Sequence, residues 1–318
     1  MNLLEKHSII IQLFTWILGM IFFLLGFKIE LNTLISLICF FFIITFGISH
    51  GALDNLKGRK LFHILGFKNI FLFYTSYLTL SLIVILFWIL FPTISLVIFL
   101  IVACYHFGEE DTAFVLDKNK NFKKYQKLKN FVYFSKGLLI IIAPLYFHNE
   151  ETIVIFELLG ANSLFILRFM DSLIWEYHKI LIWIVITGYI IYFYMNFNRK
   201  IDLVHFFDFI PIVILNLALP PLIAFTIYFC FIHSFRHSVS LINFLDSANF
   251  INGLKLFVIR CFPLTLITAV LFILSVNFLI NFYVLNDAIL RVIFIGLASL
   301  TFPHILLEYL TNKYEKRS

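Results

Sequence analysis

An all-α, polytopic bundle of about ten transmembrane helices, with eight to ten as the range, is the fold class that three observations predict. Hydrophobic residues make up 62% of the 318-residue chain and charged residues 13%. Mean hydropathy is +0.98, more apolar surface than a soluble core of this size can bury. Apolar runs of roughly 17 to 25 residues recur, each enough for a helix to cross a hydrocarbon layer about 30 Å thick. Lys and Arg, finally, concentrate in alternate loops, as the orientation rule for membrane helices requires.

Taken in order, the first run, near 8–27, is too long for a signal-peptide core and has no clear small-x-small cleavage site, so it is expected to stay as a helix. Runs near 32–52, 70–91, 92–110 and 130–147 follow, with Pro92 turning what would be one long helix into a hairpin. Residues 151–178 are interrupted by Glu157, Arg168, Asp171 and Glu176 and are expected to be interfacial or re-entrant. Further runs lie near 179–197, 203–219, 221–245, 257–280 and 288–310, with Pro220 and Pro221 at a hairpin. No repeat or low-complexity tract divides the chain, so 1–318 is expected to be one domain.

Loop 53–69 carries Lys57, Arg59, Lys60 and Lys68, loop 111–130 carries six lysines from Lys118 to Lys129, and the tail carries Lys313, Lys316 and Arg317. The loops near 148–151 and 281–287 carry no Lys or Arg. Both termini are therefore expected in the cytoplasm of a cell-membrane protein, with even-numbered helices running inward. A full span over 151–178 would put Arg199 and Lys200 outside and invert the basic tail, which keeps the count at ten.

Composition also excludes some functions. The net charge of +6 sits in loops, where lipid headgroups account for it, and this argues against a nucleic-acid partner. Cys39, Cys104, Cys230 and Cys261 lie in apolar runs without CxxC spacing and read as small core residues. The 42 Phe residues match what A·T-rich codons encode and carry little functional weight.

The informative residues are five histidines inside apolar stretches: His50 in FGISHGALDN, His106 in ACYHFGEEDT, His233 and His237 in FIHSFRHSVS, and His304 in TFPHILLEYL. A neutral imidazole in hydrocarbon needs a partner, and metal ligation is the leading shared task. The topology, assigned without them, puts all five in the cytoplasmic half. His233 and His237, four apart, share a helix face, although without the Glu of HExxH the zinc-protease chemistry is not indicated. Asp54, Glu110 and Asp111 suit a supporting set that accepts from the ligands' second nitrogens, an acid on one helix serving a histidine on another. Glu109 and Glu308 read instead as acids at helix ends. Gly47, Gly51 and Gly108 would let helices approach closely. Arg236, on another face, is expected to pair with an acid such as Asp246 or to reach the headgroups. His7, His63, His148, His178 and His205 are expected to be solvated or interfacial.

HGALDN, YHFGEED, HSFRHS and TFPH, in this order in a multispan protein, resemble the Brp/Blh family of β-carotene 15,15'-dioxygenases over nearly the whole chain. The resemblance implies cleavage of β-carotene at its central double bond with Fe(II) and O₂, giving two molecules of all-trans-retinal for a rhodopsin. It implies His50, His106, His233 and His237 as iron ligands, with His304 in the pocket or the supporting set. The family's first motif often reads HGALDH; Asn55 replaces the last His here, at a position outside the implied ligands. Four neutral imidazoles would leave a dipositive centre, and a C40 hydrocarbon would enter laterally from membrane lipid. Imidazoles also accept zinc, copper and nickel, so iron rests on the resemblance. Two-iron desaturases would need more HxxxH or HxxHH clusters than the single one present. A haem protein and a proton-coupled transporter remain the alternatives from other classes, the latter needing a relay that reaches both faces.

Overall fold

The computed structural model describes residues 3–25, 29–67, 69–116, 125–162, 174–196 and 205–315, and among these every regular element is helical. We number them α1 Leu3–Leu25, α2 Thr33–Phe42, α3 Asp54–Ile64, α4 Ile70–Leu90, α5 Pro92–Leu116, α6 Gln126–Phe147, α7 Asn149–Leu158, α8 Ile174–Asn196, α9 Phe209–Ala218, α10 Pro221–Leu245, α11 Phe250–Leu279 and α12 Leu285–Glu315. Helix starts follow local chemistry. Asn32, Asn69 and Asn249 accept from the first-turn amides of α2, α4 and α11 at 2.9–3.2 Å, while Pro92 and Pro221 open α5 and α10, where a missing N–H costs nothing.

Among the described residues, seven helices are long and apolar enough to cross a membrane: Leu3–Phe22, Ile70–Leu90, Pro92–Ala113, Gln126–Phe147, Pro221–Leu245, Phe250–Leu279 and Leu285–Thr311. Three other expected spans are helical but shorter, over Thr33–Gly47, Lys179–Met195 and Phe209–Ala218. The structure thus gives a helical membrane protein with a helix at each expected run, only some of them at crossing length. Of the stretch expected to be interfacial, α7 is a short helix ending at Gly160, whose φ of +89° suits a residue without Cβ. Residues 163–173, and the side chains of 174–178 with His178, lie outside the described residues.

Burial orders the bundle. In α10, 67% of the span window is buried, against 11% in α4 and 17% in α1 and α11, which present Leu24, Ile89 and Ile251 outward. Such exposed apolar faces are what a lipid-facing helix carries. α10 is therefore the central helix, packed chiefly against α11 and against α2 with the segment that follows it. Two close approaches set this arrangement. A Cβ on Gly108 would lie 1.7 Å from the Tyr133 carbonyl oxygen, and one on Gly137 equally close to that of Cys104, so α5 and α6 cross with backbones in contact. Gly47 admits the Phe229 ring, which a Cβ would meet at 2.6 Å. At Gly51 a Cβ would find only ordinary contacts at 4.0 Å, so that glycine is not there for close packing.

Both neighbours of this second crossing leave the α-helical register. Ile43–Gly47 and Tyr228–His233 are π-turns, the first continued by a 3-10 segment Ile48–Leu53. Such bulges rotate the residues that follow and concentrate at functional sites.

Candidate metal centre

Three helices bring four histidines together. His106 of α5, His233 and His237 of α10 and His304 of α12 are 4–7% exposed or, for His233, 1%. The His106 ring centroid lies 5.3 Å from that of His233 and 5.4 Å from that of His304, and His304 lies 5.8 Å from His237. His304 follows Pro303, which removes one amide from the α12 ladder just before it. His50 stands in the 3-10 segment after α2; its side chain lies outside the described residues.

Each of three imidazoles turns Nδ1 to a carboxylate on another helix. His304 Nδ1 lies 2.8 and 2.9 Å from the two Asp54 oxygens, His237 Nδ1 lies 2.5 Å from Glu110 Oε2, and His233 Nδ1 lies 3.4 Å from Asp111 Oδ1. A carboxylate only accepts, so at His237 and His304 Nδ1 carries the proton and donates, which turns Nε2 to another task, while His233 Nδ1 faces its acid at a longer distance. The acids are themselves held. Tyr77 Oη donates to Asp54 at 3.0 Å and Tyr228 Oη donates to Asp111 at 2.6 Å.

Two sets of donors lie within 4.8 Å of one another: His237, His304 and Glu308, and His106, Glu110 and Glu308. Lys57 donates to Glu308. Burial disfavours the Lys57 ammonium, but Glu308, then Asp54 and Glu110, outweigh it and hold its pKa above the ordinary value. The donor set suits a first-row transition metal. Imidazole nitrogens and carboxylate oxygens are the ligands such ions take at about 2.0–2.2 Å, and acids behind the rings fix their orientation.

The structure gathers His106, His233, His237, His304, Asp54, Glu110 and Asp111, and adds Glu308, which reads in the sequence as an ordinary acid at a helix end. Its spacing of four from His304 was the available signal. Two expectations are corrected. Arg236 does not reach Asp246 or the headgroups: it is 4% exposed and bonded to Asp208 at 2.8 Å, because it sits on the central helix. Asp246 is half-buried and accepts from Ala248, Asn249 and Asn252 instead. His205 is not solvated either; it is 1% exposed, 3.2 Å from Ser8 Oγ and 3.5 Å from Asp208. Of the other set-aside histidines, His63 is exposed and His148 half-buried, 3.8 Å from Glu151, whereas His7 bonds the Phe231 carbonyl at 2.8 Å and stacks on Phe235.

Comparison with known proteins gives a consistent picture. Residues 41–311 match the family described as beta-carotene 15,15'-dioxygenase. A protein of that name from uncultured marine bacterium 66A03 is 28% identical over 289 residues, covering 86% of this chain and 94% of the relative. No solved structure matches the chain.

Proposed function

The chain belongs to the β-carotene 15,15'-dioxygenase family, and on that footing we propose that it cleaves β-carotene with O₂ at an iron centre held by the buried histidine cluster. It is a carotenoid-cleaving dioxygenase by membership. In the overall reaction the central C=C and the O=O bonds break and two C=O bonds form, giving two all-trans-retinal with no net proton or electron. Iron(II), when bound, supplies the activation of O₂.

The protein's part follows from the residues. His106, His233 and His237, with His50, hold the ion, while Asp54, Glu110 and Asp111 fix which ring nitrogen carries the proton. His304, paired with Asp54 yet 5.4 Å from His106, stands close enough to serve as a further donor. Lys57 compensates Glu308, so a carboxylate is kept at the centre's edge without attracting protons to it. Phe107, 4.8 Å from His233, and Phe229, stacked on it, wall the site and keep water from a reaction that needs none. The polyene would reach the site from lipid, and retinal would leave the same way toward a rhodopsin.

The observation that carries this reading is the set of Nδ1–carboxylate pairs behind clustered rings in an apolar bundle. Expression in a host that accumulates β-carotene tests it: retinal should appear, measured by chromatography, and its absence with well-expressed, iron-loaded protein overturns the reading. Around this site we place ten membrane-embedded helices in one domain, both termini cytoplasmic, with 151–178 at the interface.

A further inference from the structure

Next to the histidine cluster, and sharing Asp111 with it, lies a polar assembly whose other members have no part in the proposed reaction. It surrounds a small cavity of about 20 Å³, room for about one water, bounded by Asp111, Lys136, Asp208, Tyr228 and Arg236, among others. Four charged side chains in the middle of a membrane bundle are costly unless they compensate one another. Arg236 is the piece that joins them. Its Nη2 donates to Asp208 Oδ2 at 2.8 Å and to Ser8 Oγ at 2.9 Å, and its Nη1 stands 4.0 Å from Asp111 Oδ1. That same Asp111 oxygen faces His233 Nδ1 at 3.4 Å, while its other oxygen accepts from Tyr228.

We propose that Arg236 is a positioning residue for His233, acting through Asp111. The guanidinium compensates the buried carboxylate that orients the ring, and Asp208 and Ser8 hold the guanidinium in place. A planar guanidinium held by hydrogen bonds through Nη2 presents Nη1 to Asp111 at ion-pair distance in fixed geometry, which an ammonium on a flexible stem cannot do. The anchor reaches α1, since Gln12 Nε2 also donates to Asp208 at 3.1 Å. Helix α1, outside the residues that match the family, thereby has a part in the site.

This inference rests on the metal centre proposed above, and the test separates the two. The purified full chain is titrated with Co(II), following affinity and the visible ligand-field spectrum, with melting temperature as the fold control. Wild type should bind; failure to bind overturns the metal centre itself. R236Q and D111N should each weaken Co(II) about 10- to 100-fold and alter the spectrum, as losses behind a metal ligand do. Their double variant should lose little beyond the larger single effect, because both act along one chain. R236K, keeping charge without the fork, should recover only part. If R236Q does not fold, Y228F decides: losing one hydrogen bond to Asp111 should weaken Co(II) about 3- to 10-fold. Wild-type affinity and spectrum in the folded variants, or effects that multiply in the double variant, overturn the positioning role.

Discussion

A histidine in this protein is defined by what stands behind it. Asp54 gives both oxygens to His304 Nδ1 and receives the Tyr77 hydroxyl, so a carboxamide there keeps the shape while losing the obligate acceptor. D54N is expected to lower metal affinity about 10- to 100-fold, read by titration of the purified protein, with little change in melting temperature. H106A, H233A and H237A should each abolish metal binding, and H304A decides whether that ring is a donor: a loss as complete as the others makes it one, a partial loss leaves it with Asp54. The histidines were legible because an imidazole in an apolar run has no bland reason to be there. Glu308, Tyr77 and Tyr228 were not. An acid near a helix end looks the same in sequence whether it faces headgroups or a buried lysine, and a tyrosine in an aromatic-rich chain carries no mark of the carboxylate it will meet.

Among the elements, crossings between helices decide more than helix formation does. At the α5–α6 contact an added methyl group meets a backbone carbonyl, which cannot swing aside as a side chain can. G108A and G137A should each destabilise by the upper end of the ~1–3 kcal/mol typical of overpacking, or more, in thermal unfolding, and should misplace His106. G51A, with room at 4.0 Å, should change stability little. The turn between α10 and α11 makes a separate prediction. Hydrogen bonds from Asn252, then from the Asn249 and Ala248 amides, lower the Asp246 pKa below its ordinary 3.8. A depressed carboxyl contributes stability above the unfolded value and loses it as pH falls through the folded one. The difference in melting temperature between wild type and D246N should therefore be constant at neutral pH, begin to shrink as pH falls below about 3.8, and vanish once pH has passed the lower folded-state value. Periodicity and hydropathy located nearly every helix, but not the π-turns before His50 and at His233, because hydropathy is blind to a one-residue change of register.

For the molecule as a whole, the basic loops and those without Lys or Arg predict a topology that fusions can read. A periplasmic reporter inserted at residue 283 should be active, one at the C-terminus inactive, and the reverse pattern would refute the inward direction of α12. What no stretch of sequence displays is the pairing itself: His304 and Asp54 are 250 residues apart, His237 and Glu110 are 127 apart. Within the cluster, His233, His237 and His304 each turn Nδ1 to an acid on a different helix. During synthesis, then, no emerging segment holds a finished chelator, and the pair that closes the cluster waits for the last helix to enter the bilayer. Were the cluster to hold a metal as proposed, a chain still short of α12 would lack His304, Glu308 and the pairing with Asp54, so the full donor set would form only when the last helix enters.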